Sequence, residues 1–163
     1  MKKYYEDKKY LSIVDDILEH SEFKKLGNYI HHGGTRLDHC IRVSYHSYKV
    51  CKFFHLNSKS AARAGLLHDF FFIDNLSLDI KTRLKVLVDH PKYACNNAKK
   101  CFKISKLEED IILSHMFPVG IRVPRRLESW IVNLVDDFDA INERIINWIK
   151  QLSSAIRIIN KQS

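Results

Sequence analysis

Six residues spread along most of the chain set the strictest demand on how it folds: His39, the pair His68-Asp69, His90, His115 and Asp136. Neutral imidazoles bind first-row transition metals near neutral pH, and carboxylates bridge cations or balance their charge. The gaps between these residues are long, so a shared site requires several helices folded around one point. Six donors also exceed what a single four-coordinate cation takes, and a two-metal site is the natural reading.

The 163 residues suffice for one domain with a core that needs no covalent staples. We therefore expect a single domain over residues 1–163, with its core at about 30–145. Only five Gly and three Pro interrupt the chain, which favours helices. The start, Met1 to Asp7, turns acidic where a signal peptide needs an apolar run. No apolar stretch approaches the ~18 residues that cross a bilayer. A cytoplasmic protein without membrane contact is expected. Cys40, Cys51, Cys95 and Cys101 show no C-x-x-C spacing, so zinc-ribbon and thioredoxin readings fail and small buried thiols are expected. A net charge of +8 suits an anionic partner. A small phosphorylated substrate such as a nucleotide is favoured over nucleic acid, because the lysines are scattered rather than gathered in a groove.

Apolar periodicity predicts a helix over residues 6–26 and a break at His31-His32-Gly33-Gly34. Thr35 then caps a helix to about His55, with Asp38 completing an acidic capping box. Asn57 or Ser58 caps a third helix that ends near Asp69. A short helix is expected over 78–89, and another with Pro91 in its first turn, where the missing N–H costs nothing. Further helices cover 105–115 and run from about Leu127, followed by an amphipathic helical tail. Strand-type alternation is nearly absent, so the fold class is all-α. The tail at 145–160 either pairs with another subunit or covers its own core.

On such a bundle, ligands from separate helices converge in the interior. His68 and Asp69 point about 100° apart on a helix, and both reach one cation only at a helix end. His68 follows Ala64-Gly65-Leu66-Leu67, and Asp136 follows Ile131-Val132-Asn133-Leu134-Val135. Burying either without a charged partner is costly. His90 and His115 also fit plain helix-end positions.

The segments Arg36-Leu37-Asp38-His39, Ala64-Gly65-Leu66-Leu67-His68-Asp69 and Leu134-Val135-Asp136 resemble the HD superfamily of metal-dependent phosphohydrolases. That resemblance implies an HD-domain helical bundle, with His39, His68, Asp69 and Asp136 on a first metal. His90-Pro91 and His115 resemble the extra histidines of two-metal members, such as HD-type hydrolases of symmetrical diadenosine tetraphosphate. In those, Asp69 would bridge both metals, and His90 and His115 would hold the second. The Gly-Tyr-Pro motif of HD-GYP cyclic-dinucleotide phosphodiesterases is absent. The lysine that often follows the His-Asp pair is replaced by Phe70-Phe71-Phe72.

The resemblance implies hydrolysis of a phosphoester or phosphoanhydride by a metal-activated hydroxide. Iron is the first expectation for the two divalent ions and manganese the second, with cobalt, nickel or zinc also compatible with the ligands. Arg36, one turn before His39, is the first candidate for holding phosphoryl oxygens, unless it pairs with Asp38 or a neighbouring helix. His32, Lys92 and Arg126 are further substrate-side candidates, with Arg125 beside Arg126 at the entrance. Asp74 is a candidate proton donor to the leaving group, or a cap. Two rivals use the same residues. One is a mixed-valent di-iron oxygenase, since myo-inositol oxygenase and di-iron phosphonate oxygenases resemble this ligand order. The other is a non-catalytic module that binds nucleotide or nucleic acid. The Phe70-Phe71-Phe72 run either stacks on a base or packs.

Overall fold

Local capping chemistry defines most helix starts in the computed structural model, which describes residues 3–31, 34–73 and 78–162. Helix α1 (Lys8–Leu18) begins where the Asp7 carboxylate accepts the Tyr10 amide at 3.1 Å. The predicted helix over 6–26 does not continue unbroken. His20 accepts the Glu22 amide through Nδ1 and starts a separate short helix, α2 (Ser21–Lys24), followed by a 3-10 turn over Lys25–Asn28. Two-residue strands β1 (Ile30–His31) and β2 (Gly34–Thr35) pair antiparallel across the predicted break. In α3 (Arg36–Phe53) the Thr35 hydroxyl accepts the Asp38 amide, as the predicted cap requires, and also donates to the Asp38 carboxylate, a side-chain contact in place of the box's bond to the main chain.

Asn57 caps α4 (Ser58–Leu67), which ends at His68. A capping box between Ser105 and Glu108 opens α6 (Lys106–Ser114), which ends at His115. Helix α7 (Leu127–Gln162) joins the predicted long helix and the tail into one rod of 36 residues.

Helix α5 (Ile80–Cys101) corrects the expectation of two helices, because it passes straight through Pro91. The proline removes one main-chain bond, at a cost of about 3 kcal/mol. Val86, His90, Ala94 and Ala98 nevertheless form one buried stripe across it. Continuous burial of that stripe outweighs the lost bond.

The core is one cluster running from Tyr4 to Val132. Helix α3 lies at its centre and packs most extensively on α4, with α7 on another side. The small residues Ala61, Ala62, Ala64 and Gly65 permit this closeness. A Cβ at Gly65 would lie 2.8 Å from the Ser44 backbone. Ser44 seals the contact by donating to the Ala62 carbonyl at 2.6 Å and meeting the Tyr10 hydroxyl at 2.8 Å. Arg63 ties α4 to α1 through a bidentate pair with Asp16. Asp110 ties α6 to the start of α7, accepting from the Arg125 amide and the Ser129 hydroxyl. Among the described residues no helix is long and apolar enough to cross a membrane.

Candidate metal centre

Two of the site's histidines owe their orientation to the same local device. His68 and His115 each sit at the C-terminal end of a helix, where carbonyls lack main-chain partners. In each, Nδ1 lies 2.8 Å from the carbonyl three residues earlier, Gly65 for one and Ile112 for the other. A carbonyl can only accept, so the proton is on Nδ1 and the Nε2 lone pair faces the interior. His39 receives the equivalent anchor from a carboxylate, with Nδ1 at 2.9 Å from Asp139 Oδ2. Arg42 in turn binds Asp139 with its Nε and Nη2 and also pairs with Glu143.

These anchors aim nitrogen atoms at two carboxylates. Around Asp136 Oδ1, His39 Nε2 lies at 2.9 Å and His68 Nε2 at 3.4 Å, and the two nitrogens are 3.3 Å apart. Around Asp69 Oδ1, His90 Nε2 lies at 3.1 Å and His115 Nε2 at 3.7 Å, with 2.9 Å between those nitrogens. Asp69 also groups with His39 and His68, each offering a donor atom within 4.8 Å of the others. The structure thus brings all six sequence-predicted ligands together, in two sets that meet at Asp69.

The electrostatics match a cation-binding interior. Burial disfavours the charged form of His39, but its hydrogen bonds to Asp136 and Asp139 prevail and raise its pKa to about 10. His68 is likewise raised against burial, chiefly by the charge of Asp136. Burial resists ionisation of Asp136, yet the neighbouring imidazoles hold its pKa well below the usual carboxylate range. His115 is pushed down to about 3, by burial and then by the charges of His68 and His90. It is therefore a neutral nitrogen donor. Two imidazole nitrogens 2.9 Å apart beside a carboxylate oxygen are the donor chemistry a divalent transition metal takes.

A sequence model of the HD domain matches residues 36–141, a span that contains all six of these residues. The chain belongs to the HD domain family. No curated protein and no solved structure matches it. The all-α bundle and the convergence of His39, His68, Asp69 and Asp136 agree with membership of the HD family.

The other candidates of this HD domain fall elsewhere. Arg36 is only 2% exposed. Its guanidinium donates to the Phe71 carbonyl at 2.6 Å and the Ile73 carbonyl at 3.3 Å, and lies 3.8 Å over the Phe71 ring. It clamps the segment after the His-Asp pair, not Asp38 and not an open cleft. Lys92 has a side chain 71% exposed and pairs with Asp89 at 2.8 Å. Arg126, with Arg125, lines a separate cavity of about 730 Å³ between α6 and α7. His32 and Asp74 lie outside the described residues. Phe70 is buried against Phe23 and Phe102, and Phe71 stacks on His90 with centroids 5.0 Å apart, so these two aromatics pack. Cys40, Cys51 and Cys95 are buried thiols, and Cys101 is half-buried.

Sequence reasoning missed Asp139 and Asn133. Asp139 lies one helical turn after Asp136, and that spacing was a readable signal for a second inward carboxylate. Asn133 donates to the Phe117 carbonyl at 2.8 Å and to the His115 carbonyl, which fixes the turn carrying His115. Nothing local in the sequence marks that role.

Proposed function

We propose that this HD domain is a metal-dependent phosphohydrolase that cleaves a phosphoester or phosphoanhydride of a nucleotide-like substrate at a dinuclear centre. The observation that carries this reading is the meeting of two His/Asp donor sets at Asp69. His39, His68 and Asp136 would hold one divalent cation and His90 and His115 a second, with Asp69 within reach of both sets. Iron is favoured over manganese, because six mixed imidazole and carboxylate ligands suit it. When bound, such cations would lower the pKa of water toward about 7 and withdraw charge from phosphoryl oxygens.

The chain's own residues supply orientation. The Nδ1 anchors at Gly65, Ile112 and Asp139 keep three imidazoles from turning their lone pairs away. Arg36 acts through the main chain, because its bonds to the Phe71 and Ile73 carbonyls set the course of the segment following Asp69. Phe71, stacked on His90 and beneath that guanidinium, excludes water from one side of the centre.

Metal analysis of the purified chain, with phosphate release from a nucleotide panel under iron, manganese and cobalt, tests the proposal. Close to two cations per chain with phosphate release supports it. Oxygen uptake by a di-iron form without hydrolysis would replace it with the oxygenase. A metal-free, inert chain would sink both.

A further inference from the structure

Helix α7 carries two faces with different chemistry. Ser129, Val132, Asn133 and Asp139 are buried toward the bundle, and Asp136 joins them at the metal centre. On the opposite side Leu134, Phe138, Ile141, Ile145, Trp148 and Leu152 are all exposed, Phe138 by 71% and Trp148 by 62%. They follow one another at steps of four, three, four, three and four residues, which is a coiled-coil seam. Ile146 and Ile149 are exposed beside it. At about 100 Å² or more each, the six seam residues present on the order of 700 Å² of apolar surface, near the ~800 Å² each partner buries in a stable interface. Monomeric proteins rarely leave a continuous apolar patch of that size in water.

Charge along α7 indicates what covers the seam. From Leu127 to Glu143 every charged residue is acidic. Asp136 and Asp139 face the metal centre, Glu143 pairs with Arg42 and Glu128 accepts the Asn57 amide, which leaves Asp137 on the outer side. From Arg144 to Lys150 the charged residues are basic, and both Arg144 and Lys150 are exposed. Two copies laid antiparallel bring the exposed Asp137 of each level with the exposed Lys150 region of the other, and oppose their macrodipoles. Parallel copies would set like against like. An anionic lipid surface suits Arg144 and Lys150 but not the exposed Asp137, which flanks the seam beside Phe138.

We propose that the outer face of α7 forms an antiparallel, two-fold homodimer interface. The seam spacing fixes its register, with Leu134 against Leu152, Phe138 against Trp148 and Ile141 against Ile145, each pair occurring twice about an axis level with Glu143. The two contacting patches are the same surface, as a two-fold interface requires. Both metal-bearing faces point away from the seam, so each copy keeps a complete site.

Light scattering on the full chain should give twice the 19.2 kDa chain mass. The double substitution Ile145→Glu and Trp148→Glu should return it to a single chain mass, with the far-ultraviolet circular dichroism of a helical protein retained. Disulfide trapping under mild oxidation provides a second readout that leaves most of the seam intact. An equimolar, exchanged mixture of Leu134→Cys and Leu152→Cys chains should link to each other, and neither variant should link to itself. Those positions are ~27 Å apart along the helix, so self-linking would reveal a parallel pair and overturn the proposal. A wild-type chain that stays monomeric at about 100 μM, or a dimer that survives both glutamates, overturns it as well. A monomer that floats with phosphatidylserine vesicles would assign the face to lipid instead.

Discussion

His39 is held at both ring nitrogens, by Asp139 at Nδ1 and within the ligand cluster at Nε2. The Asp139 carboxylate therefore sets both the ring's tautomer and its angle. Asp139→Asn keeps the volume but removes the charge that holds the Nδ1 proton. We expect cation affinity to fall about 10- to 100-fold, read by calorimetric titration, with the circular dichroism spectrum unchanged. An unchanged affinity would show that the Asp139 charge is not what orients His39. The six candidate ligands could be picked out in the sequence because His-Asp adjacency and carboxylates in apolar runs are local signals, and the structure brings these six residues together. The fate of Arg36 was not. Its position one turn before His39 pointed to substrate, but the carbonyls of Phe71 and Ile73 come within its reach only after α3 and α4 pack.

At the scale of elements, the contact between α3 and α4 decides whether His39 and His68 approach. Gly65→Ala would push a methyl group into the Ser44 backbone, and neither helix can yield without moving a ligand. We expect a loss of about 1–3 kcal/mol in denaturant unfolding, with weakened cation binding in the same variant. The junction of α4 with α1 depends on pH. Arg63 hydrogen-bonds Asp16 and holds its carboxyl below its ordinary value of 3.8. A depressed carboxylate contributes its stability above the unfolded-state value and loses it as the pH falls through the folded-state value. The pair is half exposed, so its worth is at most about 1 kcal/mol. Asp16→Asn should thus melt slightly below wild type at neutral pH, and the gap should close toward pH ~2. A gap that persists in acid would point to packing instead. Helix starts were readable because a cap is chemistry within four residues, as at Thr35, Asn57 and Ser105. The passage of α5 through Pro91 was not, since the local penalty is offset by burial against other helices.

For the whole molecule, the proposed metal centre would link cation binding to folding, because the six candidate ligands come from α3 and α7, the ends of α4 and α6, and α5. The unfolded chain has no such convergence. A cation at about 100 times its dissociation constant should add ~2.7 kcal/mol. In a chain of this length that corresponds to a rise of roughly 5–10 °C in Tm on adding manganese or iron to chelator-treated protein. A melting temperature indifferent to both metals would argue that the six residues form a hydrogen-bonded core and not a metal centre. The sequence by itself determined the all-α class, the order of the ligands and most helix starts, because periodicity, capping and residue chemistry act over a few positions. Only the tertiary structure decided that the Nδ1 atom of His39 is anchored by Asp139, that Arg36 turns inward, and that the outer seam of α7 is left uncovered among the described residues. Each of these depends on which distant segments share a face, and that follows from how the helices bury one another.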